Sequence, residues 1–174
     1  MDILDLAAPC GEVIIPGTQA KLYLVCACDV TTFPGYLATT GVGDSITLDG
    51  NIVLATGKKF AEIDITMSTG EITHTAVGVR GSKNYTNKFD FECVKSIAAD
   101  EWFNQNPNGC FIGIVKQKDG QMRVFGTPDM PAFMEAAEGK TGKANGDAAN
   151  WIASIMDETG VVSPFYTGTI DLTA

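Results

Sequence analysis

The chain has 174 residues, 45% hydrophobic and 19% charged, with a formal net charge of −9. That length suits a single domain with a substantial core, and without any run of 18 apolar residues no membrane span is expected. The acidic balance argues against bulk attraction to nucleic acid or to an anionic membrane. The excess charge sits at the ends: residues 1–57 carry six acids and one base, 144–174 four acids and no base, and 58–143 eleven of each.

The start, Met1-Asp2-Ile3-Leu4-Asp5, is acidic where a signal peptide is basic, so synthesis in a cytosol is expected. Residues 1–19 are broken by Pro9, Gly11, Pro16 and Gly17. Residues 21–30 are rich in strand formers and apolar on both faces after Lys21, as a buried strand is. The five cysteines, Cys10, Cys26, Cys28, Cys93 and Cys110, are odd in number and form no CxxC pair. They suit a reduced protein in which Cys26 and Cys28 are small core residues on one strand face.

Residues 31–59 form a long segment punctuated by Pro34, Gly35, Gly41, Gly43, Gly50 and Gly57. Its apolar runs at 45–48 and 52–55 are too brief to make a core, and a loop of this length is usually functional or ordered by a partner. Residues 60–67 alternate, Ser68-Thr69-Gly70 makes a turn, and 71–79 return as a strand, which predicts a β-hairpin.

In 84–93, Tyr85, Asn87, Phe89, Phe91 and Cys93 share one face of a half-buried strand. The period then changes, placing Val94, Ile97, Ala98 and Trp102 on one helical face. Asn106-Pro107-Asn108-Gly109 ends that helix. Strands at 110–116 and 122–126 flank Asp119-Gly120, a strong hairpin signal. Residues 130–138 suit one or two helical turns, 150–158 a strand, and 167–172 a last strand. Nineteen glycines, against the roughly 7% of an average chain, fit a strand-rich fold with many turns.

Catalytic and metal chemistry is sparse. His74 is the single histidine, and no Gly-x-Ser-x-Gly elbow accompanies it. One histidine and scattered cysteines give no zinc spacing, and Asp49-Gly50-Asn51 reads as a turn, not a calcium loop. Gly139-Lys140-Thr141 ends like a phosphate-binding loop, but Met134 stands where that motif needs glycine. Asn84-Tyr85-Thr86 matches a glycosylation sequon by spacing alone. Lys116, Lys118 and Arg123 surround a hairpin turn without the interleaved aromatics that stack bases. No cofactor, no metal and no enzymatic activity is expected.

The order of elements resembles the tail tube proteins of long-tailed bacteriophages. It is carried by the 60–79 hairpin, a strand entering a single helix at 94–106, the Asp119-Gly120 hairpin, Gly142 with Asn145-Gly146-Asp147, and Ser163-Pro164-Phe165-Tyr166-Thr167-Gly168. The parts that resemble the family are 60–126 and 139–170, most of the chain. The resemblance implies a mainly β fold, a β-sandwich or half-barrel with one flanking helix and a long extended loop, in a single domain over 1–174. It implies a structural virion protein, assembled in the bacterial cytoplasm, whose copies form stacked rings of six as the conduit for genome delivery. Its partners are then itself, the tape-measure protein and tail terminator or baseplate proteins, with DNA passing through unbound.

Strands at 60–67 and 71–79 line the lumen in that scheme, with Glu62, Asp64, Thr66, Glu71 and Thr73 as candidate lumen-facing residues. The 31–59 segment is the inter-subunit arm, with Phe33, Tyr36, Leu37, Ile46, Leu48, Ile52 and Leu54 as its candidate contacts. The tube of a secretion or contractile injection apparatus is a related alternative. A monomeric ligand-binding β-barrel is an alternative of another class. It expects ordered loops in the isolated chain, whereas a tube subunit expects 31–59 to be mobile until assembly.

Overall fold

The computed structural model describes residues 15–38, 41 and 43–173; the acidic N-terminal start, Pro9, Cys10 and Gly11 lie outside them. The described residues are mainly β, a curled half-barrel sheet with one α-helix. In chain order the strands are β1 (Thr18–Cys26), β2 (Val30–Thr32), β3 (Thr47–Leu48), β4 (Val53–Leu54), β5 (Ala61–Asp64), β6 (Glu71–Val77) and β7 (Asn84–Val94). Helix α1 (Ile97–Gln105) follows, then β8 (Cys110–Gln117), β9 (Met122–Phe125), β10 (Ala132–Lys140), β11 (Asn150–Asp157) and β12 (Phe165–Tyr166).

Strand β8 is the centre. One of its edges pairs with β1 over most of its length; the other pairs first with β10 and then with β9. The sheet therefore forks. One branch runs β10–β11–β7–β6, the other β9–β12–β3, and β5 lies outside β1. Between the two partners of β8 the chain turns at Gly126, whose φ is +79°. A Cβ there would stand 2.4 Å from the Ala132 nitrogen, so only glycine fits.

The fork is why β1, β8 and β9 are apolar on both faces. Leu22, Leu24, Phe111, Val115 and Phe125 face a first core with Phe89, Phe91 and Ile155. Their neighbours Val25, Ile112, Ile114 and Val124 face a second core behind the sheet. Strand alternation assigns each residue to one core or the other.

The helix starts where Ser96 caps it, its hydroxyl accepting from the Ala99 N–H at 3.0 Å. It docks through Phe103, stacked on Trp151 at 4.4 Å, and through Trp102, edge-on to Phe103. Of the expected apolar face, Val94, Ile97 and Ala98 are exposed and Trp102 alone packs, with Phe103 beside it. Ending β7 at Val94 and starting α1 at Ile97 turns the helix so that Trp102 and Phe103 meet the sheet.

Three further expectations are corrected. Strands β5 and β6 do not pair with one another: β5 pairs with β1, Leu22 opposite Ile63, and β6 pairs with β7, Ile72 opposite Phe89. The turn at Ser68 carries the chain from one end of the curled sheet to the other. There the Thr66 N–H donates to the Glu92 carbonyl, closing the curl at that end alone. Residues 132–140 form a strand, not helical turns. A bulge between Met134 and Ala136 shifts its register, and an extra residue of that kind erases the two-residue period that marks a strand.

The third concerns 31–59. Its described residues are irregular apart from short strands and one 3-10 turn at Asp44–Ile46, but they are folded onto their own chain. Leu48 and Ile52 are buried in the second core with Phe60 and Tyr166, so its brief apolar runs do contribute to a core. The Tyr166 hydroxyl accepts from the Ile52 N–H and donates to the Thr169 carbonyl, pinning the segment to the last strand.

Candidate functional site

Among the described residues no pocket gathers a nucleophile, a base and a group to orient them, so the chemistry must be sought in surfaces and in one buried polar knot. The knot joins β6, β7 and β11. Asn87 on β7 is fully buried; its Nδ2 donates to Asp157 at 2.8 Å and to the Val161 carbonyl at 2.8 Å. Its Oδ1 accepts from the Ser163 N–H at 3.1 Å and lies 2.9 Å from Nδ1 of His74. Asp157, buried, also accepts from the Gly126 N–H at 2.9 Å and from the Thr159 hydroxyl at 2.9 Å.

Every strong bond of the knot is internal, and each fixes one strand or loop against another. Burial holds the His74 pKa below its ordinary value, against the opposing Asn87 bond, with Arg123 adding to the lowering and Asp157 opposing it. His74 is thus a neutral structural histidine near neutral pH.

The five candidate lumen residues fall on two separate edges. Glu62 and Asp64 are exposed on β5 and share the Lys21 ammonium of β1, at 2.9 Å for Asp64. The two carboxylates, Glu62 first, raise the Lys21 pKa well above its usual range. Thr66 is half-buried in the turn. Glu71 and Thr73 are exposed on β6 opposite Asp90 and Lys88, and Lys88 bridges Asp90 at 2.9 Å. Each edge thus carries a small negative excess, but the residues do not form one hairpin face.

Of the candidate arm residues, Leu48 and Ile52 are core. Phe33, Leu37, Ile46 and Leu54 are half-buried, and only Tyr36 is exposed.

Cys26 ends β1 and Cys28 lies exposed in the single turn of 3-10 helix that follows, the two joined as a disulfide. They are therefore not core thiols on one strand face. Asp29 lies beside them, but its carboxylate is held by Lys58 at 3.1 Å, and bonded sulfurs are not thiolate ligands. Cys93 is buried, its pKa pushed up to about 11 by burial and then by the Asp64 charge. Cys110 is free and exposed.

A groove that the sequence did not suggest lies between β5 with its following turn and α1. It has a volume of about 670 Å³ and is lined mainly by apolar side chains, among them Ile63, Ile65, Trp102 and Phe103. Exposed Met67 and Val94 also line it. The signal available in the sequence was Met67 and Val94 at the boundaries of two elements, apolar where a boundary is normally polar.

Among the described residues no helix is long and apolar enough to cross a membrane. Comparison with protein-family models, curated proteins and solved structures finds no match.

Proposed function

We propose that this protein is a structural, self-assembling subunit whose copies join into rings and stacked rings, the tube of a phage-type tail through which a genome passes. The observation that carries this reading is the pair of open edges. Among the described residues strand β6, seven residues long, pairs only with β7, and β5 only with β1, so a curled sheet is left unclosed along most of its seam. Unpaired strand edges are templates for another chain, and joining unlike edges around a rotation axis closes them into a ring. The weakly negative outer rows of β5 and β6 suit a surface past which phosphate moves without binding. Tape-measure, terminator or baseplate proteins are the partners such a tube needs. Gene neighbours distinguish a phage tail (terminase, tape-measure) from an injection apparatus (spike, ATPase).

Sedimentation and negative-stain microscopy of the pure protein across a concentration series test the reading. Rings or tubes are expected; a strictly monomeric species at all concentrations refutes it. A second reading, a monomeric ligand-binding β-barrel, is favoured by one observation: the described part of 31–59 is packed onto its own chain. Stoichiometric uptake of an apolar ligand by a monomer that never assembles is its expected signature.

A further inference from the structure

The four most exposed large apolar side chains among the described residues are Ile97 (89%), Met67 (80%), Val79 (75%) and Val94 (70%). They fall at two places. Met67 and Val94 line the groove beside α1, and Ile97 stands next to it on the first helical turn. Val79 lies at the tip of the β6–β7 hairpin, flanked by exposed Val77 and Tyr85. One strand links the two places. The tip is at the N-terminal end of β7 and the groove at its C-terminal end, and eleven residues of strand put them about 35 Å apart.

The tip is built to hold its shape. Gly78 and Gly81 take φ of +102° and +90°, and the Ser82 N–H donates to the Val79 carbonyl at 3.0 Å. Between Val77 and Tyr85 the only charges are Arg80 and Lys83, both exposed and without an ion-pair partner among the described residues. At the groove, Glu62 and Asp64 share one lysine, leaving a net negative charge. An apolar knob with a positive collar thus stands at one end of β7, and an apolar hollow with a negative rim at the other.

We infer that the β6–β7 hairpin tip of one copy docks in the α1 groove of the next, so that Val79 enters between Met67, Val94 and Ile97 while Arg80 and Lys83 approach Glu62 and Asp64. This rests on the self-assembly reading above and specifies one of its contacts. Repeated head to tail, the contact is heterologous and builds a ring or a stack, the arrangement the self-assembly reading requires, rather than the closed dimer that two copies exchanging tips reciprocally would form. Charge sets the orientation of approach, and apolar burial supplies the hold.

The test uses two full-length variants, Val79→Asp and Ile97→Asp. Both sites are exposed, and an acid in the first helical turn suits the helix dipole, so both should melt as the wild type does. Each alone has one dead surface and should sediment as a monomer of 18.4 kDa where the wild type assembles. Mixed one to one, the intact tip of the second fits the intact groove of the first, and a species of twice that mass should form and grow no further. Arg80→Glu with Lys83→Glu should raise the assembly midpoint at least tenfold at low salt. If the wild type assembles and either aspartate variant assembles equally well, or the mixture stays monomeric, the docking is wrong and the tube reading stands. If the wild type never assembles, the tube reading fails and this contact fails with it.

Discussion

Asp157→Ala removes a carboxylate that is 1% exposed and accepts four hydrogen bonds, from Asn87 Nδ2, Gly126 N–H and both the N–H and hydroxyl of Thr159. Thr159 is half-exposed and can turn to water. Asn87 Nδ2 keeps the Val161 carbonyl. The N–H of Gly126, a buried residue, has no second acceptor among the described residues, and orphaning it costs about 1–3 kcal/mol, while a bond to a charged group is worth about 1.5–3 kcal/mol. Together these give a loss of about 4 kcal/mol, a large share of a typical domain stability of roughly 5–15 kcal/mol. For a chain of this size that corresponds to a fall in Tm of about 8–16 °C. Urea unfolding followed by circular dichroism measures it, with Asp157→Asn, which keeps the shape and one acceptor, expected at about half the loss. A loss below about 1 kcal/mol at unchanged m-value would refute the claim that these bonds hold the strands together.

Leu48→Ala should cost about 2–5 kcal/mol, because this side chain from the 31–59 segment is buried in the second core; equilibrium unfolding reads it, and a surface-like loss below about 0.5 kcal/mol would mean the segment is not seated there. Because the native His74 pKa is depressed, the unfolded chain binds more protons as pH falls below about 6.5, so stability should decline from pH 7 to pH 5. His74→Gln should flatten that part of the profile, and an unchanged slope would assign it to other groups. Brief iodoacetamide treatment followed by peptide mapping should label exposed Cys110 and spare Cys93, whose thiol is buried and raised in pKa; equal labelling of both would contradict the packing of β7.

Where local pattern and tertiary partner agree, the sequence is a good guide. The alternation of Tyr85, Asn87, Phe89, Phe91 and Cys93 is strand β7, and Asp119-Gly120 is the β8–β9 turn. The doubly apolar run after Lys21 is explained by two cores on opposite faces of β1. The turn falls slightly earlier than Ser68-Thr69-Gly70, over 66–69 with the Thr69 N–H on the Thr66 carbonyl, and a turn reveals nothing about which strands pair when both flanking strands have longer, better-buried partners elsewhere. Residues 132–140 carry helix-forming Ala136, Ala137 and Glu138, and the bulge at Glu135 removes the alternation that would have outweighed them. The groove was illegible because its walls, β5 and α1, are about 30 residues apart in sequence, and their meeting depends on the unexpected β1–β5 pairing. The seating of 31–59 is illegible for a similar reason: Leu48 and Ile52 look isolated until Tyr166, more than a hundred residues later, arrives beside them.

The forked position of β8 also bears on how the protein comes apart. Phe111 and Val115 belong to one core, Ile112 and Ile114 to the other, and a single run of backbone amides lies between them. Neither core can be exposed through β8 without loosening the other. Two structurally distinct interiors should therefore be lost in one cooperative transition. Amide protons of β8 should exchange with solvent only on global opening, and those of β6 through local fraying long before.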